Sequence, residues 1–61
     1  MTTKNYFIEN TKKACRAIAE VKRRIPCFVE DTYTADGFIE VEIQCRDADL
    51  AFVEKMLAEF V

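Results

Sequence analysis

Histidine and tryptophan are absent from this 61-residue chain, and glycine and proline occur once each. The missing histidine removes Ser-His and Cys-His nucleophile pairs and any imidazole proton shuttle. The lone glycine, Gly37, leaves no Gly-rich phosphate loop, and it falls in a turn rather than ahead of a helix. No apolar run approaches the roughly 20 residues that span a bilayer. The opening MTTKNYF lacks the basic-then-apolar design of a signal segment. Together these absences lead to the expectation of a cytoplasmic, non-enzymatic protein with no membrane partner.

Cys15, Cys27 and Cys45 make an odd count at wide spacing, with no Cys-x-x-Cys pair. Zinc normally takes four close ligands, so with no histidine available neither a metal nor another cofactor is expected. Free thiols that behave as small core hydrophobes in a reducing compartment are the expectation instead. The carboxylates Glu40 and Glu42 would need a cleft to shift them into acid and base work, and so short a chain has little material to enclose one.

Half of the residues (51%) are apolar and a third (33%) charged, the balance of a folded domain rather than a disordered segment. One domain, residues 1–61, is the expectation. A chain this short hides only roughly 60% of its unfolded surface on folding, so help from a second copy is a natural source of stability.

From Lys4 to Arg24, Phe7, Ala14, Ile18, Val21 and Ile25 recur at helical spacing, which predicts one long amphipathic helix capped by Thr2 or Thr3 and ended by Pro26. The stretch NYFIE, residues 5–9, offers an alternative. Its aromatic and β-branched residues suit an added strand, with Asn10 or Thr11 capping a shorter helix.

A hairpin follows, and pleating decides its register. A two-residue turn at Asp36-Gly37 would mix polar and apolar residues on one face. A three-residue loop, Ala35-Asp36-Gly37, sorts them. Cys27, Val29, Asp31 and Tyr33 then oppose Cys45, Ile43, Val41 and Ile39 on the inner side, while Phe28, Glu30, Thr32 and Thr34 oppose Gln44, Glu42, Glu40 and Phe38 on the outer side. A closing helix is predicted from Asp47, with Leu50, Val53, Leu57, Phe60 and Val61 facing the core. Phe52 and Met56, one turn apart at its margin, form either a half-buried rim or a second contact patch.

The expected fold is therefore two-layer α+β, in the order α-β-β-α, with two helices on one face of a two-stranded antiparallel sheet. Both edges of such a sheet are open, so pairing of two copies into a four-stranded sheet is expected as well.

Charge is strongly polarised. Residues 1–24 carry seven Lys or Arg against two Glu, a balance of +5, and residues 25–61 carry two against nine, a balance of −7. On the first helix, Glu9 to Lys13, Arg16 to Glu20 and Glu20 to Arg24 are spaced for pairing. On the sheet, Glu30 opposes Glu42 with Glu40 beside them, an arrangement that destabilises a hairpin.

Framed by Phe28 and Phe38, this acidic face suits docking on a basic surface of a larger protein, such as one that binds nucleic acid. A short, acidic chain without catalytic equipment fits the general profile of phage-encoded inhibitors of host defence, such as anti-CRISPR proteins. Two alternatives compete with it. One is a nucleic-acid-binding module that uses Lys12, Lys13, Arg16, Lys22, Arg23 and Arg24 on the first helix. Glutamates, rather than cations, around the sheet aromatics make nucleic acid the weaker partner. The other is a structural or regulatory homodimer.

Overall fold

A computed structural model describes all residues from Met1 to Val61. The chain forms a first strand β1 (Thr2–Glu9), a helix α1 (Lys12–Arg24), strands β2 (Cys27–Tyr33) and β3 (Phe38–Cys45), and a closing helix α2 (Leu50–Leu57). Short 3-10 turns, Asp47–Asp49 and Ala58–Phe60, flank α2. The fold is α+β, with a three-stranded antiparallel sheet in the order β1-β3-β2.

The N-terminal segment corrects the long-helix expectation and, with it, the two-stranded sheet. A hairpin alone uses the hydrogen-bonding groups on one side of β3 and leaves the other side open. Residues 2–9 fill that side, pairing in register from Thr2 against Cys45 to Glu9 against Phe38. The Asn10 N–H then donates to the Gly37 carbonyl at 2.9 Å, which extends the ladder to the turn.

The helix starts only after this strand. Its cap is Thr11, rather than Thr2 or Thr3, and the Thr11 hydroxyl accepts from the Ala14 N–H at 3.1 Å. Phe7, placed on the core stripe by helical counting, instead points to the outer face and is 55% exposed, while Ile8 is buried.

The β2–β3 register is the one that the three-residue loop implies, Cys27 against Cys45 through Tyr33 against Ile39. Gly37 adopts φ +90°, the left-handed geometry that such a loop demands. The Thr34 N–H donates to the Phe38 carbonyl at 2.8 Å, closing the turn.

Core residues come from one face of the sheet and from the sides of both helices turned to it. Ile8, Ile39, Val41, Ile43 and Cys45 meet Ala14, Ala17, Ile18 and Val21 of α1 and Val53 and Leu57 of α2 in one buried cluster. Leu50 and Phe60 are half-buried against it. Val61, expected in the core, is 77% exposed because regular helix ends at Leu57. Asp47 does not cap a helix with its side chain. Its carboxylate accepts from the Thr2 hydroxyl and so ties the start of β1 to the entry of α2. No helix is long and apolar enough to cross a membrane.

Candidate interaction surface

Pleating sends every second residue of the three strands away from the helices. Reading across from β1 through β3 to β2, the outer face carries rows Thr3-Gln44-Phe28, Asn5-Glu42-Glu30 and Phe7-Glu40-Thr32, and then Glu9 beside Phe38. Glu30 and Glu42 are direct partners. Because Thr34 and Phe38 are joined by a ladder hydrogen bond, alternation makes Glu30 and Glu42 a hydrogen-bonded pair too, with α-carbons about 5.5 Å apart. Two carboxylates are thus held side by side, with Glu40 one position along the same face.

Aromatic rings bracket this centre. Phe7 and Phe38 stack with centroids 4.8 Å apart and planes 14° from parallel. Phe28, 68% exposed, lies at the opposite end. Between them is a depression of about 440 Å³, lined by Asn5, Tyr6, Phe7, Glu30, Thr32, Glu40, Val41 and Glu42. Asn5, Phe7 and Glu9 join this face only on the strand alternative for residues 5–9, which is the one the structure adopts. The signal available was the β-favouring content of NYFIE.

The carboxylates of this face stand outside the ion pairs of the molecule. Ion pairs join Lys4 to Glu54 at 3.6 Å, Lys22 to Asp31 at 3.6 Å, Arg23 and Arg24 to Glu20 at 2.7 and 2.9 Å, and Arg46 to Asp49 at 2.8 Å. None of these pairs includes Glu9, Glu30, Glu40 or Glu42. On α1, hydrogen bonds from Arg23 and then Arg24 hold the Glu20 carboxyl below the usual glutamate range.

The basic helix is therefore answered over its second half. Lys22, Arg23 and Arg24 are committed to Asp31 and Glu20, and Lys12, Lys13 and Arg16 remain exposed without a carboxylate. Of the three intrahelical pairs expected, only Glu20 to Arg24 forms. Glu9 is in β1, out of helical register with Lys13, and Glu20 is engaged by Arg23 rather than Arg16.

Phe52 and Met56 are half-buried and packed against the core cluster. Their remaining exposed surface lies at the rim of the α2 packing. No group of three or more His, Cys, Asp or Glu side chains is gathered to hold a metal ion. No family model matches the chain, and neither does any curated protein or solved structure.

Proposed function

We propose that this chain is a small, non-enzymatic binding protein that docks through its outer sheet face on a basic surface of a larger protein. The observation that carries this reading is the cross-strand pair Glu30 and Glu42, with Glu40 alongside, none of them neutralised by a cation of the same chain. An arginine of the partner suits the depression. Its planar guanidinium stacks on an aromatic such as Phe7 while its N–H groups reach a carboxylate. Phe28 and the Phe7-Phe38 stack supply apolar anchors on either side, and charge steers the encounter.

A basic surface of this kind is what a nucleic-acid-binding protein presents. Inhibitors that occupy such a surface, phage-encoded blockers of host defence such as anti-CRISPR proteins among them, are the functional class we assign. The test is affinity capture at low and high salt with the native chain, with Glu40→Lys/Glu42→Lys and with Arg16→Glu/Arg23→Glu. Loss of a salt-sensitive protein partner in the glutamate variant alone is the expected result. Capture dominated by nucleic acid and lost in the arginine variant would transfer the function to α1.

We assign self-association to the free edge of β1. Alternation from the Asn10–Gly37 bond leaves the backbone groups of Thr3, Asn5 and Phe7 facing outward. Antiparallel pairing of two copies about Tyr6 opposes no like charges there. At the other edge, pairing about the middle of β2 would set Glu30 against its own copy. Light scattering at micromolar concentration should report a dimer that a proline at Asn5 abolishes. A monomer in the native chain sinks this assignment.

A further inference from the structure

The three cysteines occupy two different environments. Cys15 lies in the first turn of α1, where its thiol donates to Asn10 Oδ1 at 3.6 Å, near the turn end of the sheet. Cys27 and Cys45 lie at the other end, on the inner face, as the first residue of β2 and the last of β3, and they are direct partners.

The class of that pair matters. Thr34 and Phe38 share a ladder hydrogen bond, so pairs two steps apart from them along the hairpin are hydrogen-bonded and those between are not. Cys27 and Cys45 fall in the second set. In a non-hydrogen-bonded pair the α-carbons are about 4.5 Å apart and the side chains approach most closely. A disulfide spans roughly 4.4–6.8 Å between α-carbons, so this pair can close with little backbone movement. Access is unequal. Cys45 is fully buried, whereas Cys27 is half-buried on an edge strand, its thiol donating to the Val21 carbonyl at 3.9 Å.

We propose that Cys27 and Cys45 are a redox-active dithiol that closes to an intramolecular disulfide when the chain meets a low-molecular-weight disulfide such as glutathione disulfide. The Cys27 thiolate attacks one sulfur of glutathione disulfide, forming a mixed disulfide and expelling one glutathione thiolate. The Cys45 thiolate then attacks the Cys27 sulfur and expels the second glutathione. Two protein thiols are oxidised, one glutathione disulfide is reduced to two glutathiones, and the two protons end on the released thiolates. Burial, and next the neighbouring Cys45, push the Cys27 thiol up, which slows the first attack without preventing it.

Closure joins the point where the chain leaves α1 to the point where it enters α2. It also locks into one ring the hairpin that carries Glu30, Glu40 and Glu42. This inference does not depend on the docking reading, because it rests on the inner face.

The test treats the folded, full-length chain with glutathione disulfide at mildly alkaline pH and follows intact mass, free thiols and peptide linkage. The expected product has lost two hydrogens, keeps one titratable thiol at Cys15, and yields a peptide linked between Cys27 and Cys45. Its thermal midpoint rises by on the order of 10 °C and falls back on reduction. Cys15→Ser should behave the same way, and Cys45→Ala should stop at a glutathione adduct on Cys27. A native chain that stops at the adduct, pairs through Cys15, closes only in denaturant, or loses stability on closing overturns the proposal.

Discussion

The two faces of the central strand are built on one backbone and follow opposite rules. β3 turns Ile39, Val41, Ile43 and Cys45 toward the helices, each no more than 2% exposed, and turns Phe38, Glu40, Glu42 and Gln44 the other way. The inner set is what folding requires, since the sheet has no other way to bury area against α1 and α2. The outer set is not. Any mixture of Thr, Lys and Glu would keep that face wetted, and a Lys opposite Glu30 would add stability where Glu42 removes it. A feature that opposes the fold in so small a domain calls for an explanation outside folding, and the contact with a cationic partner proposed above is one.

The largest test of this contrast is Ile43→Ala. Ile43 is fully buried between β1 and β2, with Lys4 and Val29 as register partners. Loss of its side chain should cost about 3 kcal/mol in chemical denaturation, a large part of the stability of a 61-residue chain. A loss below about 1 kcal/mol would mean that the inner face is not the determinant it is taken to be.

Tyr6 is the exception on the inner side. Its hydroxyl is buried with no hydrogen-bond partner, and burial, followed by the charge of Glu54, raises its pKa. Tyr6→Phe should therefore raise stability by about 1 kcal/mol, because an unmet polar group is removed and its ring is kept. Destabilisation on the same change would show that the hydroxyl makes a bond to water.

What the sequence alone makes legible divides along the same lines. The hairpin register followed from Gly37 and from the sorting of Val29, Val41 and Ile43 against Glu30, Glu40 and Glu42, because a slip of one residue inverts every side chain. The core face of α1 was readable from Ala14, Ile18 and Val21. β1 is ambiguous in the sequence, readable as helix or strand, because its inner row is Thr2, Lys4, Tyr6 and Ile8, half of it polar, while Phe7 stands on the wet side. Hydrophobic alternation is weak there, and Phe7 at helical spacing from Ala14 and Ile18 competes with it. What placed residues 2–9 in the sheet was the unsatisfied side of β3, a long-range demand that local periodicity does not encode. For the site, the Glu30–Glu42 pair was readable, but the Phe7-Phe38 stack was not, because it joins β1 to β3.

Glu42→Lys sharpens the comparison from the outer side. It replaces a like-charge pair with an opposite one and should raise stability by about 0.2–1 kcal/mol at low salt. Added salt should shrink the gain, because Glu30 is exposed and Glu42 is only half-buried. The same variant should lose the partner, so stability and binding move in opposite directions. A variant that is destabilised would show that Glu42 has a structural role that the fold does not reveal.

The smallest effect concerns Glu20, the answered counterpart of those unanswered carboxylates. Arg23, then Arg24, hydrogen-bond its ionised form and lower its pKa in the folded chain. A carboxyl whose folded pKa is depressed contributes stability that is present above its unfolded value and is lost as pH falls through the lower, folded one. Glu20→Gln should therefore slightly lower the denaturation midpoint at neutral pH, and the deficit should close on acidification below the ordinary glutamate range. Glu42→Gln should show the opposite sign at neutral pH, because it relieves repulsion instead of breaking a pair. Equal signs for the two substitutions would erase the distinction between answered and unanswered charge on which the docking proposal rests.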